Sequence, residues 1–329
     1  DGVIRDPGGV AFVGADGEDT AAVSSGAFLA LWLLPLAALR LRRRAGLALL
    51  ALAAMLAAAP AHAEHHVRIH YGGDVASGFD SNVTNAQADD DIRESGFASA
   101  TGNVDYLRNV SLYTTLLLRG SVQGEYWNSF EGLNNGKGSA MARLLYRGDG
   151  DFWTPTFAGW VSAAVMEFDS AIRDSNEYRA GAFVTENLTT QVTGRFALGA
   201  SRRESDGLVY DLSGYSASVN LDWVPAARTA VYAGYQYYVG DVASTASATS
   251  FWIVEAAEAI EADDAFGGLA GGLLAYRLDA KAQVTTLGFN YAFSRKLSAD
   301  VQGQYISTRA TGRIDYERMV GVVSLLARF

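Results

Sequence analysis

The chain has 329 residues, a net charge of −10 at pH 7 and no cysteine. Disulfides and thiolate metal centres are therefore excluded. An acidic chain with no Lys/Arg cluster beyond residue 63 also lacks the basic face that phosphate neutralisation requires, which argues against a nucleic-acid partner. Continuous apolar runs are confined to the region before residue 60; after it apolar and polar residues alternate, Gly and Tyr are plentiful and Pro is scarce.

Residues 1–39 open the chain as an acidic, Gly-rich leader without an initiating Met, followed by Ser24-Ser25-Gly26 and the apolar run Ala27–Leu39. Small residues, a hydrophobic run and then arginines resemble the C-terminal sorting tails of the Gly-Gly type. The resemblance implies an upstream reading frame joined in error; the plainer alternative is an over-long leader. Residues 40–63 read as a helical, cleavable signal peptide. Arg40, Arg42, Arg43 and Arg44 form its basic start, Ala45–Ala59 its apolar stretch, and Ala61-His62-Ala63 its cleavage site. The stretch is shorter than the roughly 20 residues of a comfortable membrane span. Residues 64–329 are left as the mature domain.

From Val67 the period is two, as in strands with one apolar face. Val67, Ile69 and Tyr71 alternate with Arg68, His70 and Gly72. Leu116, Leu118, Val122 and Tyr126 oppose Arg119, Ser121, Gln123 and Glu125, and Phe196, Leu198 and Ala200 oppose Arg195 and Ser201. Tyr215–Trp223 and Leu297–Tyr305 repeat the pattern. Such runs are long for a soluble sheet and suit a tilted membrane crossing. The pattern predicts an all-β chain: a transmembrane, antiparallel, up-and-down β-barrel of about twelve strands. These are expected near 67–78, 96–106, 110–128, 137–147, 155–168, 176–187, 189–203, 210–224, 228–240, 281–293, 297–309 and 314–329. Short turns alternate with mostly longer loops, as a barrel with both termini in the periplasm requires. The connection 148–154 is longer than that rule suggests.

Aromatic residues fall near both strand ends: Tyr106, Trp223, Tyr291, Phe293 and Phe329 on the periplasmic side, Tyr126, Phe168, Tyr178, Tyr237 and Tyr305 on the outer side. A terminal Phe329 on an amphipathic last strand resembles the signal read by the outer-membrane assembly machinery. The mature region as a whole resembles Gram-negative, porin-like outer-membrane barrels. More locally, Gly78-Phe79-Asp80-Ser81-Asn82-Val83-Thr84-Asn85 resembles the segment after the first strand in barrels of the surface-lipoprotein assembly modifier type. The helical repeats of that family have no counterpart here, and so short a match transfers no site.

With the apolar parity on lipid, Arg68, Arg119, Glu125, Arg143, Arg147, Arg179, Arg195, Asp222 and Asp300 are the candidate lumen-lining charges, joined by Asp74, Asp105, Glu177, Arg203 and Arg328. Two readings stand. The arginines form a ladder that attracts anionic solutes, or opposite charges pair and largely fill a narrow interior. The loops 79–95 and 241–280 are acidic, and Asp89, Asp90, Asp91, Asp263 and Asp264 are the candidate cation ligands, for Ca²⁺ or for divalent bridges to lipopolysaccharide. Residues 251–262 are expected to fold inward as a constriction or to project as a lid.

The mature histidines, His65, His66 and His70, all lie at the start of the first strand, far from the outer rim where Ser/His or Asp/His hydrolysis would operate. No enzymatic activity, cofactor or metal centre is expected. The functional expectation is a narrow porin-like channel, or an export or assembly pore. The alternative is a closed structural or adhesion barrel acting through its acidic loops; a second, an outer-membrane hydrolase, is disfavoured by the lack of a histidine at the outer rim. The expected surroundings are outer-membrane lipid, lipopolysaccharide, the assembly machinery and a surface partner encoded nearby.

Overall fold

The computed structural model describes residues 67–149, 151–247, 251–267 and 272–329. The leader and the signal peptide lie outside the described residues. The strands are β1 (Val67–Asp80), β2 (Ser95–Asn109), β3 (Thr114–Trp127), β4 (Asn135–Arg147), β5 (Thr156–Phe168), β6 (Ser175–Asn187), β7 (Val192–Ser205), β8 (Leu212–Ala226), β9 (Thr229–Ser247), β10 (Ala259–Ala262), β11 (Leu273–Ala292), β12 (Leu297–Ala310) and β13 (Ile314–Arg328). A short helix, α1 (Phe251–Ala256), precedes β10.

Every strand except β10 belongs to one closed antiparallel meander. β1 pairs with both β2 and β13, and β9 skips β10 to pair with β11, so the wall has no edge. The alternation dictates which face is lipid. Tyr215, Leu287, Met319 and Val323 stand exposed on the outer parity, while Leu117, Leu145 and Phe183 are buried on the inner one. An apolar exterior of this kind is stable only against hydrocarbon, and the chain is an outer-membrane-type barrel. The tight turns, such as Val110–Tyr113 closed by Val110 N–H to the Thr114 carbonyl at 2.8 Å, share one end of the barrel with the start of β1 and the end of β13. There Tyr71 and Phe329 exchange two backbone hydrogen bonds of 2.8 and 3.1 Å across the seam.

Two expectations need correction. The region 241–280 is not all loop, because β9 runs on to Ser247 and β11 starts at Leu273, paired residue for residue as far as Leu273 with Ser247. Alternation alone missed this, since Tyr276 and Leu278 pack inward against Ala246, Ile253 and Ile314. Phe168 belongs to no aromatic girdle. It takes the lumen parity opposite Asn135, and the Arg203 guanidinium lies 5.4 Å from its ring centre. In the acidic loops Asp80, Asp91 and Asp263 are buried.

Candidate functional site: the outer mouth and the chamber beneath it

The first outer loop turns inward as soon as β1 ends. Asn82 N–H bonds to Asp80 Oδ1 at 3.0 Å, an Asx turn, and Asn82 Nδ2 donates to the Ala86 carbonyl at 2.9 Å. Asn85 adopts a left-handed conformation, φ 53°, which Asn tolerates. The loop then docks on the extension of β9. Thr245 N–H bonds to the Thr84 carbonyl at 2.7 Å, Asn85 Nδ2 to the Ala243 carbonyl at 3.0 Å, and Asp91 accepts Ser247 N–H at 2.9 Å. The Asp-Ser-Asn-Val-Thr-Asn run is thus a folded plug against the wall.

The second inward element is the stretch from β10 to Gly267. β10 pairs with the top of β11, Ala259 opposite Arg277, above the level where β12 ends with Ala310 opposite Ala280. The chain then reaches the loops of the opposite wall. Asp263, fully buried, receives Arg173 Nη2 at 2.6 Å, the Tyr210 hydroxyl at 2.7 Å and the Thr245 hydroxyl at 3.0 Å. Asp264 accepts the Ser170 hydroxyl. Phe266 packs edge-on to Phe130, ring centres 4.9 Å apart, in a cluster with Trp127, Leu133 and Leu273. The Arg173 guanidinium lies 4.4 Å from the Tyr210 ring centre. Burial pushes the Tyr210 phenol well above its ordinary pKa, with the Asp263 charge adding to the rise, so Tyr210 stays a hydrogen-bond donor at any physiological pH.

Beneath this roof is a chamber of about 320 Å³. Val83, Thr84, Asn85, Arg173, Tyr210 and Thr245 cover it, and Arg203, Tyr238, Thr308, Tyr316 and Arg318 line its sides. Arg203 donates to the Ser175 hydroxyl at 2.9 Å and to the Arg173 carbonyl at 3.0 Å.

Deeper in the barrel the register places Arg68, Arg119, Glu125, Arg143, Arg147, Arg179, Arg195, Asp222 and Asp300 on the lumen parity, along with Asp74, Asp105, Glu177, Arg203 and Arg328. Their distribution is uneven. The wall of β3 to β7 carries Arg119, Lys137, Arg143, Arg147, Arg179, Arg195 and Arg203 against Glu125 and Glu177. From β8 round to β2 the strands carry Asp74, Asp80, Asp105, Asp222 and Asp300 against Arg68, Arg318 and Arg328. A basic wall faces a more acidic one. Some charges pair: Arg119 holds both Asp105 oxygens at 2.5 and 2.8 Å, and Glu177 sits between Arg179 at 2.7 Å and Lys137 at 3.6 Å. Asp300 accepts the Tyr232 hydroxyl at 2.7 Å.

Alternation did not reveal an apolar layer on the basic wall, where Leu117, Leu145, Ala158 and Phe183 pack together facing inward. Arg143 and Arg195 lie 5.4 and 4.6 Å from the Phe183 ring centre. The strict inward parity of Leu117, Leu145 and Phe183 with Arg119, Arg143 and Thr185 was the available signal.

The loop carboxylates are not brought together. Asp89 and Asp90 are exposed, Asp91 and Asp263 are buried in separate contacts, and no group of three or more His, Cys, Asp or Glu side chains is poised for a metal among the described residues. His70 lies on the lumen parity opposite Asp105; His65 and His66 fall outside the described residues.

No family model matches the chain, and no curated protein does. Solved structures match its fold. An outer-membrane channel from Pseudomonas putida F1 aligns over 79% of this chain and 95% of its own, at 12% identity and a TM-score of 0.52. The NanC porin (8% identity, 77% and 98% covered, TM-score 0.43) and the KdgM porin in complex with disordered oligogalacturonate (9%, 78% and 99%, 0.42) are more distant in shape. The likeness is one of fold: an antiparallel outer-membrane barrel.

Proposed function

We propose that the chain is a narrow, non-enzymatic channel of the Gram-negative outer membrane that favours anionic solutes, with an outer mouth roofed by its own loops. The observation that carries this reading is the basic wall of β3 to β7. Within a low-dielectric tube, fixed charge of one sign raises the local concentration of its counter-ion, and a facing acidic wall orients a dipolar solute in transit. On this reading a signal peptide over residues 40–63 delivers residues 64–329, and Phe329 is the handle for the assembly machinery. Lipopolysaccharide surrounds the outer half.

A second reading is a closed structural barrel. The roof and the packed Phe183 layer favour it. Adhesion through the acidic loops gains less support, because Asp91 and Asp263 are spent on internal contacts. An export or assembly pore for a neighbouring partner is the remaining form of the channel reading, and the genes beside this one would reveal such a partner.

Planar-bilayer recording of the refolded barrel separates these readings. Steady, anion-preferring openings are expected, and Arg119→Ser with Arg195→Ser should move the reversal potential toward cations. Silence at high voltage would favour the closed barrel, and openings with unchanged selectivity in the double variant would remove the basic wall from the account.

A further inference from the structure

The contacts of Asp263 describe a receptor for a carboxylate. Its side chain is wholly buried and takes a guanidinium N–H at 2.6 Å, a phenol O–H at 2.7 Å and an alcohol O–H at 3.0 Å, from Arg173, Tyr210 and Thr245 on separate elements. Charge-assisted bonds from a planar guanidinium and two hydroxyls are what a soluble carboxylate would be offered. The three donors also border the 320 Å³ chamber, which is lined as well by Arg203 and by Arg318, the partner of Asp80. Arg203 makes its hydrogen bonds to a hydroxyl and a carbonyl, and Glu177 faces it across the β6–β7 pair. The receptor is built, the space beside it would hold the body of a small solute, and the carboxylate now in the receptor belongs to the strap that covers the mouth.

We infer that Arg173, Tyr210 and Thr245 form a binding site for a small carboxylate solute, and that Asp263 is its built-in competitor. A solute carboxylate entering the chamber would exchange with Asp263 on the same donors. No covalent bond changes, and the charge on Arg173 stays compensated throughout. Losing Asp263 costs the strap its central anchor to the opposite wall, so occupancy of the site and opening of the mouth are coupled. An anchor that is part of the chain acts at high effective concentration, so the unmodified protein should bind free carboxylates only weakly. The consequence for permeation rests on the channel reading above; the binding site does not.

The test uses the refolded full chain in detergent, with citrate as probe and sorbitol as uncharged control, followed by isothermal titration calorimetry. Asp263→Asn keeps an acceptor on the strap but removes its charge, so citrate affinity should rise about ten- to a hundredfold, the range of a charged hydrogen bond. Arg173→Gln should abolish binding, Tyr210→Phe should weaken it, and sorbitol should not bind. Equal citrate affinity in wild type and Asp263→Asn, or retained binding in Arg173→Gln, would overturn the inference. Heat-modifiable gel mobility verifies folding of each variant. If Asp263→Asn does not fold, Thr245→Val serves instead and should lower citrate affinity, with an unchanged affinity counting against the site. In bilayers citrate should raise the wild type's open probability. Binding without conduction would defeat the channel reading and leave the site standing, and conduction without binding would do the reverse.

Discussion

Arg318 on β13 grips Asp80 at the end of β1, Nε lying 2.9 and 2.8 Å from the two carboxylate oxygens while Nη2 also donates to Oδ2. The pair spans the seam where the last strand closes on the first, and Arg318 Nη1 donates on to Asn85 Oδ1 at 3.3 Å. Asp80 is buried, whereas Arg318 keeps 27% of its side-chain surface. Removing the guanidinium strands a buried charge, which in a dry interior costs more than the pair gains. Arg318→Gln should therefore cost about 2–3 kcal/mol, a range reduced because the arginine is partly wet. Urea unfolding in lipid vesicles measures it. Asp80→Asn with Arg318→Gln should recover part of the loss, and a purely additive double variant would refute the coupling.

Gly288 exists for Tyr232. The two residues face each other across β11 and β9, and the ring lies over the glycine so closely that a Cβ there would collide with its Cζ and Oη. Lying flat across β11, Tyr232 delivers its hydroxyl to Asp300 on β12 at 2.7 Å. Gly288→Val should lift the ring, break that bond and cost about 1–3 kcal/mol. Tyr232→Phe should lose only the hydrogen-bond share. Were the two variants equally stable, the close approach would not matter.

The barrel was legible because hydrocarbon outside enforces a period of two over every crossing, and no residue type on the outer face escapes that demand. The same rule located Arg119, Arg143 and Arg195 on the lumen face from parity alone. It failed where lipid no longer acts. Above the membrane, Tyr276 and Leu278 are buried by the folded mouth, so the upper parts of β9 and β11 read as loop. The partners of Asp263 lie 18 to 90 residues away, on elements that only barrel closure brings together. Periodicity carries no trace of such contacts.

The outer surface offers a direct check on which face meets lipid. Val219, halfway along β8 and 48% exposed, stands outward, and its neighbour Ser218 points into the lumen opposite Ala197. An arginine at mid-depth on the lipid face of such barrels costs about 2–4 kcal/mol. Val219→Arg should be destabilised by that amount in vesicle unfolding, and Ser218→Arg by much less. If both substitutions cost the same, the assigned faces would be wrong.

Gly132 sets how closely the strap can lie on the mouth. It sits in the loop between β3 and β4, and a Cβ on it would come within 2.5 Å of Ala265 Cα and 2.8 Å of Ala265 Cβ. Both neighbours are backbone or rooted to it, so a larger residue cannot be accommodated by a rotamer change. Gly132→Val should push Ala265 and Phe266 away from Phe130, loosening the aromatic contact while the twelve-strand wall below is untouched. Limited proteolysis of intact barrels measures this directly. Cleavage within residues 257–267 should accelerate severalfold in the variant while its heat-modifiable mobility stays that of the wild type. Single-channel conductance should rise in parallel, because the strap crosses the path between chamber and exterior. Unchanged proteolysis would mean that the polar contacts of Asp263 and Asp264 hold the strap and that the aromatic packing on Phe130 adds nothing.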